Sequence, residues 1–514
     1  MNIADHVERG HLLFPHKVAL IFEERSFTYQ QLDRLASKVA NGLRGLGIQQ
    51  GDRVALFLPN IPEFIFAYLG ILKLGAIAVS VNVMFKSEEV SHVLNDCAAK
   101  IVITTEAQCQ YVSTADLPEL EQILIAEGES DLGLSLGQLM ANADSRAKAI
   151  AVERHAPASI VYTSGTTGFS KGATLSHGNV ISNMYAQNRC CRMNADDKLL
   201  LYLPLFHCFG QNAILNAGLN ACAAIILQRR FELEQVLKNI TVHNITMLFG
   251  VPTVFIKLLK ADISPRVFSS IRYYFSAAAS MPVAVVQHWQ SEYALTIHEG
   301  YGLTETSPCA SYNHDLQYKF GSVGMPVENV EMKIVDSYGQ QLPPGKLGEI
   351  AIRGPNVMLG YWNRPQATAQ AIKHGWFHTG DLGRIDEQGF FYIVYRLKDM
   401  INMSGFKVYP NEVEQVIYQH PAVAEVAIYG VPDPEKGEIV KANIVTKNSE
   451  QSMTALEIKE FCSQRLANYK IPREISFVAD LPKNPTGKVL KRVLRQEASS
   501  SRLNYAQSLV AHQV

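Results

Sequence analysis

The eleven residues from Tyr162 to Gly172, YTSGTTGFSKG, combine hydroxyls, glycines and one lysine in a pattern suited to holding a polyphosphate. Backbone N–H groups of a Gly-rich turn converge on phosphate oxygens. Thr163, Ser164, Thr166 and Thr167 add hydroxyl donors, and Lys171 adds a positive charge. The spacing is not that of a Walker A loop: counted from Gly165, Ser170 precedes Lys171 and Gly172 follows it, so G-x-x-x-x-G-K-[ST] fails. A P-loop kinase or GTPase is disfavoured on that ground. The plain alternative is a surface loop, since Ser, Thr and Gly are ordinary loop residues.

Three further segments carry candidate chemistry. GYGLTET, Gly300 to Thr306, offers an aromatic ring, hydroxyls and a carboxylate within a few residues. Tyr301 can stack on a purine, Thr304 can donate to a phosphate, and Glu305 can hold Mg²⁺ against a polyphosphate. The same residue types also serve as a turn with a capping acid. GWFHTGD, Gly375 to Asp381, sets an aspartate after Thr-Gly at the expected end of a strand, where a carboxylate accepts from two ribose hydroxyls or simply forms a turn. In NPTGKVLKR, Pro485 and Gly487 form a turn that presents Lys488 on an expected exposed tip, a setting in which most lysines are merely solvated.

The elements that must position these groups read as α/β. Apolar runs at Val54 to Leu58, Ile77 to Val81, Ile101 to Thr104 and Ile225 to Leu227 alternate with segments of helical length, the pattern of layered, largely parallel sheets. From Gly321 the period shortens to two: Val330, Met332 and Ile334 alternate with polar neighbours, and GEIAIRG and GFFYIVYR continue the pattern as antiparallel β. A compact α+β unit is expected from near Lys398, with strand-like AEVAIYGV, helical ALEIKEFCSQRL and strand-like EISFV, then a frayed tail after Glu497. No internal repeat or low-complexity tract interrupts the chain.

At 514 residues the chain calls for two or more domains. With 47% hydrophobic and 18% charged residues and a net charge of -1, it has the composition of a globular protein, and nothing in it suggests a nucleic-acid partner. Eight scattered cysteines without a C-x-x-C pair signal neither a zinc cage nor a disulfide framework, and fit a reducing cytoplasm. The N-terminus lacks a basic n-region before an apolar run, and AHQV is no peroxisomal or lipidation address. The most membrane-like stretch, Ile61 to Val81, contains Glu63 and Lys73, so it reads as a buried helix leading into a strand; peripheral contact with a membrane surface stays open.

Taken together, YTSGTTGFSKG, GYGLTET, GWFHTGD, the stretch Tyr395 to Glu414 and NPTGK resemble, in order and spacing, the adenylate-forming superfamily of acyl-CoA synthetases, adenylation domains and luciferases. The resemblance runs from FTYQQL at Phe27 to Lys488. SGFKVYPNEVE, HPAVAEVAIYGVPD and NYKIPREISFVADLPKNPTGKVLKR look most like bacterial fatty acid CoA ligases. It implies a large N-terminal domain, residues 1–397, of two α/β subdomains and a small β-barrel, followed by a mobile α+β C-terminal domain, residues 398–514, with the hinge at Lys398.

The implied reaction couples a carboxylic acid to AMP with release of pyrophosphate, then transfers the acyl group to a thiol, with ATP, Mg²⁺ and CoA as partners. The resemblance assigns Thr163, Ser164, Gly165, Thr166, Thr167, Gly168 and Lys171 to the polyphosphate, and Ala277, Ala278, Glu299, Gly300, Tyr301, Gly302 and Thr304 to the nucleotide. Asp381 and Arg396 fall on the ribose, Thr163 and Glu305 on the metal, and Lys488, with Lys171, Thr304 and Glu305, on catalysis. Gly405, Phe406 and Lys407 belong to CoA. Tyr395 departs from the Gly or Asp usual before that arginine.

The implied acyl site comprises His207, Phe209, Gln211, Phe249, Gly250, Ala277, Ala278, Gly302, Leu303 and Cys309. No acid lies between Leu203 and Leu215 to pair an ammonium, which disfavours an amino acid substrate. Acetate-using relatives carry tryptophan at the position of Gly302, so glycine there is expected to leave a path open for a fatty acid. Loading of an acyl carrier protein, a coumarate-type aryl acid ligase and a non-catalytic fatty-acid or nucleotide binder are the rival readings.

Overall fold

A computed structural model describes residues 1–113, 117–163, 170–396, 399–403, 406–433, 436–447 and 453–498, apart from the side chains of Tyr395 and Arg396. The apolar runs form the interior strands of two large sheets. In the eight-stranded sheet, Arg53–Phe57, Ile77–Ser80, Ile101–Thr105, Gln122–Glu127, Leu134–Ser135 and Pro157–Thr163 run parallel. Lys171–Ser176 and Gly360–Tyr361 extend it antiparallel. Ile77–Ser80 and Ile101–Thr105 are buried along their whole length, as strands covered on both faces must be.

The nine-stranded sheet is built in the same way around parallel Val18–Phe22, Ala224–Leu227, Lys198–Leu201, Met247–Gly250, Tyr273–Ser276 and Ile297–Gly302. Its antiparallel edges are Arg25–Thr28 on one side and Cys309–Tyr312 with Met325–Pro326 on the other.

The mixed apolar stretch after Ile61 is the expected buried helix and strand. Pro62–Lys73 opens with proline, whose missing N–H costs nothing in the first turn, and the strand Ile77–Ser80 follows. Its charges are paired: Glu63 meets Arg25 at 2.9 Å, and the fully buried Lys73 ammonium lies 2.5 Å from Glu8 and 2.8 Å from Asp33. Among the described residues, no helix is long and apolar enough to cross a membrane.

The period-two region forms a small antiparallel sheet of Glu331–Val335, Gly348–Arg353, Ile372–Lys373, Trp376–Ile385 and Phe391–Arg396. The small C-terminal domain folds Ile401–Met403, Phe406–Val408, Val423–Asp433, Gly437–Thr446 and Glu474–Phe477 into a sheet against helices Pro410–Tyr418 and Ala455–Ser463. Val413, Ile417, Ile428, Val440, Ile444 and Ile458 form its separate core. The tail after Glu497 is described only to residue 498.

Thr163, Ser80, Ser276 and Gly302 all close strands at their carboxyl ends. In open α/β sheets that edge is where ligands lodge, because loops and helix starts leave backbone groups free there.

Candidate active site

The described ends of the Tyr162 to Gly172 segment lie on two paired strands: Pro157–Thr163 pairs antiparallel with Lys171–Ser176, setting Thr163 opposite Lys171. That connection is strand to strand, unlike the strand to helix of a Walker loop, in line with the failed motif. Ser164, Gly165, Thr166, Thr167 and Gly168 lie outside the described residues. The strand pair is braced from below by the Tyr162 hydroxyl, which donates to Asp96 Oδ2 at 2.8 Å.

Ile297–Gly302 and the short 3₁₀ turn Thr304–Thr306 carry GYGLTET. The Tyr301 hydroxyl donates to Asp381 Oδ2 at 2.7 Å, joining two of the expected nucleotide-binding groups. Asp381 does not end its strand: it lies inside Trp376–Ile385, opposite Arg396 in the ladder with Phe391–Arg396. Thr379 Oγ1 accepts from the Asp381 N–H at 3.0 Å, beside a break in register between Leu382 and Gly383.

Glu305 is buried, and the hydroxyl of Tyr361 donates to its Oε1 at 2.8 Å. Thr304 Oγ1 meets Cys208 Sγ at 3.4 Å. Burial pushes the Cys208 thiol up to about 12, so it is a neutral wall and not a nucleophile.

Gly302 and Glu299 of this strand sit differently. A Cβ built on Gly302 would collide with the Pro308 carbonyl and crowd Cys309 Cα. The close approach of that backbone favours glycine here, and Gly302 itself lines the cavity described below. Glu299 is buried and does not line the cavity; burial raises its carboxyl to about 8, and its Oε1 has no hydrogen-bond partner among the described residues.

Lys488 comes from the small domain and is not an exposed tip. Asn484 Oδ1 accepts from the Lys488 N–H at 2.8 Å and from Thr486 Oγ1 at 2.6 Å, which ties the loop into one turn. Thr253 Oγ1 of the large domain donates to the Gly487 carbonyl at 3.2 Å, and Gln415 binds the backbone of Met281 and Val283. Docked in this way, Lys488 faces His207. Burial first, and then the Lys488 charge, lower that imidazole to about 4. Neutral at ordinary pH, it accepts the Phe209 N–H on Nδ1 at 3.2 Å, so its proton resides on Nε2.

These groups share a cavity of about 680 Å³. Thr163, Lys171, Glu305, Thr304, Gly300, Tyr301, Gly302, Asp381 and Lys488 line it together with His207, Phe209, Ala277, Ala278, Leu303 and Cys309. The structure does not bring in three other expected wall residues. Phe249 packs in the core against Phe275 and Tyr273, and its carbonyl accepts from Tyr202. Gly250 is buried beside Tyr202 and Phe255, and Gln211 is fully buried, donating to Ser80 at 2.8 Å.

Phe406 and Lys407 are exposed on a strand away from the cavity, Phe406 stacked on Tyr469. Lys398 and Gly405 lie outside the described residues, as does the side chain of Arg396. Sequence reasoning missed Tyr361, Phe206, Phe275, Gln187 and Arg492 among the lining residues. Tyr361 and Phe275 belong to strands that join the cavity only through sheet pairing, a non-local relation with no signature in spacing.

A second cavity, of about 1180 Å³, lies on the other side of the lysine loop and shares Met84, Phe206, Asn484, Pro485 and Thr486 with the first. Among the described residues no group of three or more His, Cys, Asp and Glu side chains converges on a metal. One carboxylate and one hydroxyl facing a polyphosphate site do fit Mg²⁺, which takes oxygen ligands and is usually held by one or two carboxylates plus substrate phosphates.

Residues 8–362 match the model of the AMP-binding enzyme family, and residues 412–488 that of its C-terminal domain. The chain belongs to this family. It is 35% identical to the long-chain-fatty-acid–CoA ligase of Escherichia coli O6:H1, the alignment covering 97% of this chain and 94% of that one. It is 34% identical to 4-coumarate–CoA ligase 1 of Solanum tuberosum, over 92% and 89%. Among solved structures, the anthranilate CoA ligase AuaEII in complex with anthranoyl-AMP superposes with a TM-score of 0.91 at 30% identity, covering 97% of both chains.

Proposed function

We propose that the chain activates a medium- or long-chain fatty acid with ATP and passes the acyl group to CoA. The observation that carries this reading is the convergence on one cavity of Thr163, Lys171 and Glu305, of Tyr301 with Asp381, of an apolar wall at Phe209, Phe275, Ala277 and Leu303, and of Lys488 from the other domain. Similarity to long-chain fatty acid ligases over nearly the whole chain supports the alkyl substrate.

In the first half-reaction a carboxylate oxygen attacks the α-phosphorus, the bond to the β-phosphate bridging oxygen breaks, and pyrophosphate leaves. Both reactants are anions, so catalysis consists largely of offsetting charge and fixing the line of attack. Lys488 bridges the carboxylate and α-phosphate, while Lys171, with the 164–168 segment, holds the departing phosphates. Thr163 and Glu305 would hold Mg²⁺, which when bound would neutralise the polyphosphate. Tyr301 flanks the adenine, and Asp381 with Arg396 takes the ribose hydroxyls. His207, neutral, adds no charge beside the carboxylate.

In the second half-reaction the thiol sulfur attacks the acyl carbon, AMP leaves, and the thiol proton passes to solvent. The 484–487 loop separates the two cavities, so its withdrawal would join them and let a thiol arrive from the larger one. This accounts for a domain boundary at 397/398, with the hinge at Lys398 and with Gly405, Phe406 and Lys407 turning toward the cavity once Lys488 has left. The end of one sheet at Arg396 and the start of the next at Ile401 support that boundary. A cytoplasmic setting suits the eight free cysteines.

The aromatic walls Phe209 and Phe275 and the similarity to a 4-coumarate ligase favour an aryl acid as the second reading. Acid-dependent ATP–pyrophosphate exchange across alkyl and aryl carboxylates, followed by CoA or acyl carrier protein as acceptor, tests both. Exchange with alkyl acids and thioester formation on CoA are expected. Exchange with aryl acids alone would install the second reading, and no acid-dependent exchange would overturn both.

A further inference from the structure

Tyr361 occupies a position for which its neighbours give no other reason. The two-residue strand Gly360–Tyr361 pairs with Ala173 and Thr174, just past Lys171. On either side the backbone is pinned: the Leu359 N–H donates to the Thr174 carbonyl at 2.9 Å and the Trp362 N–H to the Gly172 carbonyl at 2.7 Å. At the start of the same strap the Met358 N–H donates to the Glu305 carbonyl at 2.9 Å. The strap therefore staples the Thr163–Lys171 strand pair to the Glu305 turn, with Tyr361 between them. Its hydroxyl donates to Glu305 Oε1 at 2.8 Å, and the Lys171 ammonium lies over its ring, 5.4 Å from the centroid.

We propose that Tyr361 is the positioning residue of the polyphosphate site: its hydroxyl fixes Glu305 and its ring seats Lys171, holding the metal-facing carboxylate and the phosphate-facing ammonium as one preset unit. The inference rests on the nucleotide reading above. A phenol bound to one carboxylate oxygen leaves the other for a ligand. A ring face attracts an ammonium without consuming its N–H donors, which stay available to phosphate oxygens.

The test uses the full chain and separates the two contacts. Tyr361→Phe removes the oxygen and keeps the ring, while Tyr361→Leu removes both. Thermal melts establish folding. Mn²⁺ affinity in the presence of a non-hydrolysable ATP analogue is read by electron paramagnetic resonance, and affinity for the analogue in EDTA by calorimetry. Tyr361→Phe should weaken Mn²⁺ binding about tenfold, the size expected for losing one hydrogen bond to a charged group, and leave metal-free affinity within about twofold. Tyr361→Leu should weaken metal-free affinity about tenfold as well; if it does not fold, the Phe variant decides. Parental Mn²⁺ affinity in Tyr361→Phe, beside a loss in Glu305→Gln, overturns the positioning role and leaves the nucleotide reading standing. A parent chain that binds neither the analogue nor Mn²⁺ overturns the nucleotide reading itself.

Discussion

Thr253 of the large domain donates its hydroxyl to the carbonyl of Gly487, one residue before the lysine that enters the cavity. Gly487 has φ +84°, and a Cβ there would lie 2.8 Å from both Thr253 Oγ1 and Val251 Cγ2. The closeness of the domains at this point therefore depends on a glycine. Gly487→Ala should hinder docking of the loop, adding about 1–2 kcal/mol for the left-handed backbone besides the clash. Adenylation, followed as pyrophosphate release in a single turnover, should fall tenfold or more. Transfer of preformed acyl-AMP to CoA should stay near the parent rate, and an equal loss in both steps would refute the docking argument.

Lys488→Ala probes the charge and not the approach. Removing one preorganised group that stabilises developing charge typically costs about 10²–10³-fold, and that loss is expected in acyl-AMP formation. Because Lys488 must leave before the thiol arrives, the variant should still convert supplied acyl-AMP to thioester. Its effect on His207 offers a second readout: with the cation gone, the imidazole should titrate at higher pH by NMR, since the Lys488 charge helps hold it low.

Gly302 calls for a different expectation from the one its residue type suggests. The Pro308 carbonyl occupies the space a side chain would need, so Gly302→Ala should lower the melting temperature and impair both half-reactions without changing chain-length preference. Inserting atoms against backbone typically costs about 1–3 kcal/mol. A folded variant with an altered preference among acids would show that this position faces the acyl chain after all.

Gly302 marks the limit of what the sequence could say. Parallel strands were legible because strands buried on both faces must be continuous apolar runs, as at Ile77–Ser80, and the motif residues Thr163, Glu305, Asp381 and Lys488 do line one cavity. Direction was not legible. Gly302 is a glycine whether a substrate or a carbonyl fills the space beside it, and only the register of Gly302 against Cys309 decides. Lys488 reads as a tip because Pro485 and Gly487 make a turn, yet the surface that receives the turn, Thr253 and Val251, lies more than two hundred residues away. Phe249 reads as a wall for the same reason that it is core: an apolar ring at a strand end serves either purpose. Tyr361 carried no signal, because a two-residue strand has no periodicity.

Two kinds of buried titratable group give opposite dependences of stability on pH. Burial lowers His177 to about 4, and it accepts the Ile3 N–H on Nδ1 at 3.1 Å. Between about pH 4 and its ordinary 6.5 the unfolded chain binds a proton that the folded chain does not, so stability falls as pH drops through that window. Glu299 runs the other way. Its carboxyl is raised to about 8, so between the ordinary 4.5 and 8 the folded chain holds a proton that the unfolded chain releases. Its contribution is full below 4.5 and is lost as pH rises toward 8. Glu299→Gln removes the titration while keeping the shape. Its melting temperature relative to the parent should rise steadily from pH 5 to pH 8, by an amount equivalent to about 2–4 kcal/mol at the top of the range, and the gain should be absent near pH 4.5. Thermal melts of parent and variant across this range check it. A difference that does not change with pH would mean that Glu299 is ionised in the folded chain, held by a partner.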